Sequence, residues 1–201
     1  METEKKIEFV ILNNKPKIFE IKNFISDKYC NQLIESAKNN LVKSMVGTKE
    51  NAKVSNVRTS CNTFVKIDMH KLIFKIFKKI VELTGKNPKK FDKFFQVVRY
   101  EDGEEYKKHI DPSVSIIEQK NYCHRFFTIL LYLSDVEEGG ETYFPNLDLK
   151  VKPEKGKLLF FQNYKYDADK EKYVIDTESY HSSLPVKNCE KWVANLWYHK
   201  K

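Results

Sequence analysis

Short strand patterns follow one another through the second half of the chain. These segments are rich in β-branched and aromatic residues and are separated by polar or glycine-containing turns. They are residues 94–100, 126–133, 141–144, 149–152, 157–161, 173–175 and 191–199. Helical patterns occur only before them, so no strand alternates with a helix as in a βαβ unit. The chain is therefore predicted to be α+β and mainly β, with a jelly-roll (double-stranded β-helix) core and supporting N-terminal helices on one outer face.

The first half of the chain predicts two helices. Ser26 or Asp27 can cap the first, which ends near residue 40, and Asp68 opens a second that stops around Gly85. His70 lies in the first turn of the second helix and is interpreted as a surface residue. Strands at 7–12, 17–21 and 57–64 and a polar loop at 47–56 complete this half.

A His-x-Asp tripeptide follows the strand that begins at Phe94. In extended backbone, His109 and Asp111 project to the same side because successive side chains alternate. Far downstream, His181 lies at the edge of another extended segment. Two histidines and one carboxylate with open positions opposite form the ligand set of non-haem Fe(II) oxygenases. The tripeptide alone is a weak signal, because such a sequence is more often a surface histidine beside a solvated aspartate.

Four segments strengthen the metal interpretation when they are taken together. They are Val-Arg-Tyr-Glu-Asp-Gly at 98–103 with Tyr106 and the His-x-Asp, Arg-Phe-Phe-Thr-Ile-Leu-Leu-Tyr-Leu at 125–133, Asp-Val-Glu-Glu-Gly-Gly-Glu-Thr-Tyr-Phe-Pro at 135–145, and residues 181–197. In this order they resemble the prolyl 4-hydroxylase family of Fe(II)- and 2-oxoglutarate-dependent dioxygenases. The resemblance covers the second half densely and residues 26–64 more loosely, where Arg58-Thr59-Ser60 is also similar to the family.

The resemblance implies a ligand set and a cosubstrate seat. The residues that it assigns to Fe(II) are His109, Asp111 and His181. The residues that it assigns to 2-oxoglutarate are Tyr100, Thr142 and Lys191, with Lys191 on the distal carboxylate. A buried ammonium needs such a partner, because an unpaired one has a lowered pKa. His109, Asp111, His181 and Lys191 are the expected catalytic residues, and Lys191 is expected to act mainly on cosubstrate affinity.

The resemblance also implies a peptide groove. Its expected lining is Tyr106, Arg125, Trp197 and His199. If residues 191–199 form a strand, Lys191, Trp197 and His199 share one face with Val193 and Asn195, so the expected cosubstrate and groove residues lie together. A polyproline-II segment suits the flat faces of Tyr106 and Trp197. The segment 113–123 is long enough to act as a flap over the site.

The implied activity is hydroxylation of peptidyl proline to 4-hydroxyproline. Dioxygen is consumed, 2-oxoglutarate is decarboxylated to succinate and CO₂, and ascorbate is the expected reductant. We expect one domain over residues 1–201, with N-terminal strands and supporting helices over 1–91 and the metal-binding jelly-roll core over 92–201.

Two other functions fit parts of the sequence. The formal charge of +8 would suit an oxygenase of the same chemistry acting on alkylated nucleic acid, although the lysines are scattered and no Arg-rich stripe occurs. A non-catalytic jelly-roll binding module is the second alternative. The charged N-terminus and the absence of a long apolar run predict a soluble intracellular protein without a membrane partner. The sequence leaves the oligomeric state open.

Overall fold

Strands make up most of the regular secondary structure in the described part of the chain. A computed structural model describes residues 6–47, 52–112 and 123–200. The helices are α1 (Asp27–Ala37) and α2 (Lys71–Thr84). The strands of the first half are β1 (Glu8–Asn13), β2 (Ile18–Lys22), β3 (Val42–Lys43), β4 (Met45–Val46), β5 (Lys53–Val54), β6 (Cys61–Lys66) and β7 (Phe94–Tyr100). Those of the second half are β8 (Tyr106–His109), β9 (Cys123–Tyr132), β10 (Glu138–Gly139), β11 (Thr142–Phe144), β12 (Leu149–Val151), β13 (Leu158–Gln162), β14 (Tyr164–Asp167), β15 (Lys172–Ile175), β16 (His181–Ser183), β17 (Val186–Lys187) and β18 (Lys191–Lys200).

Two antiparallel sheets form the framework. The major sheet has eight strands in the order β1-β2-β13-β9-β18-β7-β6-β3, and the minor sheet has four in the order β12-β11-β16-β8. The first half of the chain contributes both edges of the major sheet, because β2 pairs with β13 and β6 pairs with β7. The minor sheet places β16 beside β8, which brings distant parts of the chain together.

The central part of the major sheet is buried on both faces. Alternate residues of β7 point to opposite sides, so Phe95 and Val97 pack in a cluster with α1 and α2, whereas Val98 and Tyr100 pack in a second cluster. The second cluster also contains Phe144 from the minor sheet. The protein therefore has three layers, and the prediction of a mainly β, double-sheet core with helices on one outer face is confirmed.

Helix α2 begins three residues later than predicted. Residues 67–69 form a 3₁₀ turn, and His70 is the N-cap, since its Nδ1 accepts a hydrogen bond of 3.2 Å from the backbone N–H of Leu72. The interpretation of His70 as a surface residue of the first turn is therefore corrected. Gly85 ends the helix with φ of 61°, as the pattern predicted. Within the described residues, no helix has the length and apolar character needed to cross a membrane.

Segments near the predicted loops differ from expectation. Met45–Val46 pairs with Lys53–Val54 at either end of the expected polar loop, and residues 48–51 lie outside the described residues. The strand predicted at 57–64 begins only at Cys61, because Arg58 closes a turn with its N–H bonded to the carbonyl of Ser55. Residues 113–122 of the expected flap also lie outside the described residues, and Cys123 already belongs to β9.

Candidate active site

The histidines and the aspartate predicted as metal ligands converge in space. His109 on β8 is the direct register partner of His181 on β16, and Asp111 follows two residues after the end of β8. Asp111 Oδ1 lies 4.0 Å from His109 Nε2 and 3.9 Å from His181 Nε2. All three ligand atoms lie within 4.8 Å of one another. This is a set of two imidazoles and one carboxylate with the composition of a facial Fe(II) site.

Both imidazoles are oriented by the backbone. His109 Nδ1 donates to the carbonyl of Lys107 at 2.8 Å, and His181 Nδ1 donates to the carbonyl of Ser179 at 3.0 Å. Because a carbonyl can only accept, these bonds place the proton on Nδ1 and leave the Nε2 lone pair free for a ligand bond. Burial is the main cause that lowers the pKa of His109 well below its usual value, and the neighbouring His181 lowers it further.

The carboxylate of Asp111 is held on its outer oxygen. Oδ2 accepts hydrogen bonds from Thr128 Oγ1 at 2.5 Å and from Trp197 Nε1 at 3.1 Å, so Oδ1 is left to face the histidines. Burial raises the pKa of Asp111, but His181, His109, Arg125 and the Thr128 hydrogen bond together outweigh burial and hold the pKa below its usual value. A divalent ion is bound by an ionised carboxylate and by imidazole lone pairs, so these residues fit Fe(II).

Thr128→Val is expected to weaken metal binding. The change removes the hydroxyl that holds Asp111 Oδ2, and loss of such an outer partner costs roughly 10–100-fold in metal affinity. Anaerobic titration with Fe(II) measures the dissociation constant. The matched control is Thr63→Val, since Thr63 pairs with Val97 on the sheet face turned towards the helices. Equal affinities of Thr128→Val and wild type would contradict this role of Thr128.

Lys191 lines the same cavity as the histidines and the aspartate. It is 1% exposed, and its Nζ donates to Ser183 Oγ at 2.7 Å and lies 5.0 Å from the centre of the Tyr100 ring. Burial lowers the pKa of Lys191 to about 7, although Glu141 opposes this effect. A buried ammonium that lines the same cavity as the candidate iron ligands fits one carboxylate of 2-oxoglutarate.

Gly140 permits this placement of Lys191. Its φ is 66°, and a Cβ built on it would lie 3.2 Å from Lys191 Cδ. The preceding Gly139 is also left-handed, and a Cβ there would lie 2.1 Å from the carbonyl oxygen of Pro185. The two glycines of the Glu-Glu-Gly-Gly-Glu-Thr segment therefore let β11 approach Lys191 closely, and they place Thr142 next to Ser183.

One cavity brings together nearly all residues predicted for the site. Those that line it are Tyr100, Tyr106, His109, Asp111, Arg125, Thr142, His181, Lys191 and Trp197. The described residues that line it do not include His199. Other lining residues were not singled out from the sequence, and they include Arg58, Gln96, Ser183 and Asn195. Of these, Arg58 belongs to the Arg58-Thr59-Ser60 segment, which the sequence analysis found similar to the family.

Aromatic stacking connects Arg58 to the candidate metal ligand His109. The Tyr106 ring stacks on His109 with centroids 3.5 Å apart and an interplanar angle of 13°. The guanidinium carbon of Arg58 lies 4.8 Å from the centre of the same Tyr106 ring. Arg58 is 9% exposed and donates from Nη2 to Gln96 Oε1 at 3.5 Å. These contacts pack one wall of the cavity against the His109 ring.

A bulge explains why His199 leaves the cavity. The β9–β18 register shifts between Tyr198 and Lys200, and Arg125 opposite takes a left-handed backbone with φ of 54°. The His199 ring lies outside the cavity lining, where Nδ1 accepts from the N–H of Arg125 at 3.1 Å and Nε2 bonds Asp92 Oδ1 at 2.8 Å. The shared face predicted for β18 therefore holds from Lys191 to Trp197, and a direct contact of His199 with peptide stays a prediction.

The bulge also aims the Arg125 side chain. Its guanidinium carbon lies 3.9 Å from the centre of the Trp197 ring, and Nη1 donates to the Asp111 carbonyl at 3.0 Å. Among the described residues, nothing accepts a hydrogen bond from the buried Arg125 Nε. A donor of this kind at a cavity wall can bind a carbonyl of a ligand.

Sequence comparisons agree with the site. Residues 95–199 match the family described as the 2OG-Fe(II) oxygenase superfamily. The chain is 37% identical to the probable prolyl 4-hydroxylase 3 of Arabidopsis thaliana, over 94% of this chain and 71% of the relative. It is 35% identical to prolyl 4-hydroxylase 2 of the same plant, over 94% of this chain and 69% of the relative.

Solved structures agree with the fold. The viral collagen prolyl hydroxylase of Paramecium Bursaria Chlorella virus-1, in its 2OG complex, superposes with a TM-score of 0.71 at 33% identity, covering 92% of this chain and 96% of that chain. A prolyl hydroxylase of Trichoplax adhaerens, in complex with a hypoxia inducible factor peptide fragment, has a TM-score of 0.67 at 20% identity and covers 93% of this chain and 85% of that chain. The second likeness concerns the fold alone.

Proposed function

This chain belongs to the prolyl 4-hydroxylase family within the 2OG-Fe(II) oxygenase superfamily, and from that premise we propose that it hydroxylates prolyl residues of peptides or proteins to 4-hydroxyproline. The observation that carries the proposal is the cavity that contains both the group of His109, Asp111 and His181 and the buried Lys191. We further propose that residues 92–201 form the catalytic core and that residues 1–91 support it.

The proposed roles follow from the contacts of each side chain. His109 Nε2, His181 Nε2 and Asp111 Oδ1 would hold Fe(II), because their other ring and carboxylate atoms are already engaged by the protein. When bound, the iron and 2-oxoglutarate supply the oxidative chemistry, in which dioxygen is consumed, succinate and CO₂ are released and one oxygen atom enters the substrate. The protein orients the reactants and excludes water.

Lys191 is proposed to bind the distal carboxylate of 2-oxoglutarate. Its ammonium is buried and has Ser183 as a hydrogen-bond acceptor, so a carboxylate would satisfy its remaining donors and raise its pKa again. Thr142 lies beside Ser183 across the β11–β16 pair, and Tyr100 lies opposite Lys191 across the β7–β18 pair. These two residues would define the walls around the cosubstrate chain.

The peptide would enter beside Arg125. Its Nε would donate to a backbone carbonyl of the substrate, while its stacking on Trp197 keeps the guanidinium in place. Tyr106 is half-buried and would offer an aromatic edge next to the proposed metal ligand on which it stacks. These contacts support an extended peptide that presents one prolyl ring to the iron.

Cosubstrate affinity is expected to fall as pH rises above about 7. In the free protein the pKa of Lys191 is about 7, and ion pairing with a carboxylate raises it, so binding takes up a proton between these two pKa values. The dissociation constant of 2-oxoglutarate should therefore increase about tenfold per pH unit above the lower pKa and level off below it. Titration calorimetry from pH 6 to about 9 measures the dissociation constant, and buffers of different ionisation enthalpy show the uptake of a proton on binding. Lys191→Arg is the control, because arginine stays protonated throughout; a flat wild-type profile would contradict the expectation.

The proposed activity is tested with peptides. We expect the purified protein, supplied with Fe(II), 2-oxoglutarate and ascorbate, to add one oxygen to proline-containing peptides, with fragmentation placing it on proline. Peptides with alanine in place of the proline are the matched controls and should stay unmodified. Succinate formation with no modified peptide, together with repair of a methylated oligonucleotide, would point to the nucleic-acid alternative. No succinate under any condition would favour a binding module.

A further inference from the structure

Asn163 is a buried amide at the end of β13, beside the strand that carries Thr128. Its backbone N–H continues the pairing with β9 by donating to the carbonyl of Phe126 at 3.0 Å. Leu159 and Phe161 of β13 belong to the second hydrophobic cluster, and Asn163 is the next residue in the same alternation. Its side chain is 0% exposed. A polar side chain buried in this way requires hydrogen-bond partners.

The amide nitrogen of Asn163 has two acceptors. Nδ2 lies 2.9 Å from the carbonyl oxygen of Arg125 and 3.0 Å from Thr128 Oγ1. Because the carbonyl can only accept, the nitrogen of the amide must face it, and the second N–H is left for Thr128. Among the described residues, nothing donates to Asn163 Oδ1. A residue that only filled space would not leave a buried oxygen unpaired, so the two donated bonds account for an asparagine at this position.

These contacts fix the direction of the hydrogen bond to Asp111. The Thr128 hydroxyl has one hydrogen, and because it accepts from Asn163, its own hydrogen points to Asp111 Oδ2. Hydrogen bonds in a chain polarise one another, so the amide strengthens the bond that Thr128 donates. Oδ2 is thereby occupied, and Oδ1 is left to face the histidines. Asn163 therefore acts on the candidate metal ligand through Thr128.

The same amide holds the backbone of Arg125. This residue has a left-handed φ of 54°, which a residue other than glycine keeps only where its surroundings hold it. Its carbonyl is bonded to Asn163 and its N–H to His199, so the backbone is held on both sides of the bulge. From this position its side chain reaches the Asp111 carbonyl and the Trp197 ring. The direction of the Arg125 side chain thus depends on Asn163.

We propose that Asn163 is a positioning residue that holds the candidate iron ligand Asp111 and the backbone of Arg125 with one amide group. The part that concerns Asp111 applies to the metal site, and the part that concerns Arg125 rests on the proposed function. Asn163 contacts neither iron nor peptide in this role, because it acts through Thr128 and through the Arg125 carbonyl. Removal of the amide should therefore lower both metal affinity and peptide affinity.

The test is a double-mutant cycle of Asn163→Leu and Thr128→Val, measured by anaerobic titration with Fe(II). Leucine branches at the same atom as asparagine but donates no hydrogen bond, so Asn163→Leu is expected to raise the Fe(II) dissociation constant about tenfold. In the Thr128→Val background it should cause no further increase, because the path to Asp111 is already broken. A residue with only a packing role would raise the dissociation constant by the same factor in both backgrounds.

The second measurement is the KM for a proline-containing peptide. With iron and 2-oxoglutarate saturating, Asn163→Leu is expected to raise this KM about tenfold, because the Arg125 guanidinium is no longer aimed at the peptide carbonyl. The increase should also appear in the Thr128→Val background, since the contact with the Arg125 carbonyl does not pass through Thr128. Metal affinity and peptide KM thus differ in their dependence on Thr128.

Gln162→Met is the matched control. Gln162 is the neighbouring amide, points to the opposite side of β13 and donates to the carbonyl of Tyr164 at 2.7 Å. Its replacement should leave the Fe(II) dissociation constant and the peptide KM at wild-type values. Thermal unfolding shows whether each variant is folded. If Asn163→Leu does not fold, Asn163→Ala replaces it in the cycle with the same expected results.

Each outcome decides a part of the inference. Wild-type iron affinity in Asn163→Leu, or equal factors in the two backgrounds, would overturn the role towards Asp111 and leave the proposed hydroxylation untouched. An unchanged peptide KM would overturn the role towards Arg125. If the wild-type protein binds Fe(II) but hydroxylates no peptide, the proposed function fails together with the Arg125 part, whereas the iron titration still decides the Asp111 part.

Discussion

Asp111→Ala is expected to reduce succinate formation and peptide hydroxylation by a factor on the order of 10³ or more, because the anionic metal ligand is lost. Two neutral imidazoles remain, and they bind Fe(II) much less tightly than they do together with a carboxylate. The change also removes the oxygen that accepts hydrogen bonds from Thr128 and Trp197, so these two donors lose their partner. Coupled detection of succinate and mass spectrometry of the peptide measure the two products.

A control separates loss of the metal from loss of the fold. Asp169→Ala removes an exposed carboxylate outside the site and should keep wild-type turnover. His181→Ala should behave like Asp111→Ala, and thermal unfolding shows that each variant is folded. Wild-type turnover in either ligand variant would show that the iron is held elsewhere.

Lys191→Met is expected to raise the KM for 2-oxoglutarate by about 100-fold or more, because a buried ion pair with the cosubstrate is lost. Methionine keeps the length and the apolar stem of the side chain, so the cavity wall is preserved. The turnover number at saturating 2-oxoglutarate should change much less than KM. Rates measured over a wide range of cosubstrate concentration separate the two parameters.

The same variant has a second readout in the absence of cosubstrate. The folded-state pKa of Lys191 is lowered from 10.5 to about 7, so the unfolded state binds more protons between these values and stability rises with pH across this window. Below about pH 7 Lys191 is protonated in both the folded and the unfolded state, so the full free-energy cost of burying its charge lowers the stability of the fold. Lys191→Met removes that cost, so its melting temperature should exceed that of the wild type at pH 6 to about 7 and approach it near pH 10. Lys172→Met, an exposed substitution on β15, should change neither KM nor melting temperature; an unchanged KM in Lys191→Met would contradict the cosubstrate role.

Alternation along β18 shows how far the sequence determines the site. The period of two correctly places Lys191, Val193, Asn195 and Trp197 on the cavity wall. It fails at His199, because the register shifts after Tyr198 and a bulge has no reliable sequence signature. The left-handed Arg125 opposite is not a glycine, so no local pattern announces it.

The long-range contacts were less accessible to prediction. His109 and His181 meet because β8 pairs with β16, and β16 has three residues, which is too short for a recognisable strand pattern. The sequence pattern offered His181 only as a candidate third ligand, and the family resemblance then assigned it to the same ion as His109. Arg58 was not singled out as a site residue, because its stacking on Tyr106 depends on a tertiary β-bridge between the two residues. His70 was misinterpreted for a related reason, since a histidine cap is less common than a Ser, Thr, Asp or Asn cap.

The central claim is that one iron site couples cosubstrate decarboxylation to oxygen insertion into a prolyl ring. The most direct measurement is turnover of a proline peptide under ¹⁸O₂, with mass spectrometry of both products. We expect one labelled oxygen atom in succinate for each one in hydroxyproline, and neither label in Asp111→Ala. Labelled succinate with an unlabelled or unmodified peptide, or label retained in Asp111→Ala, would contradict the account.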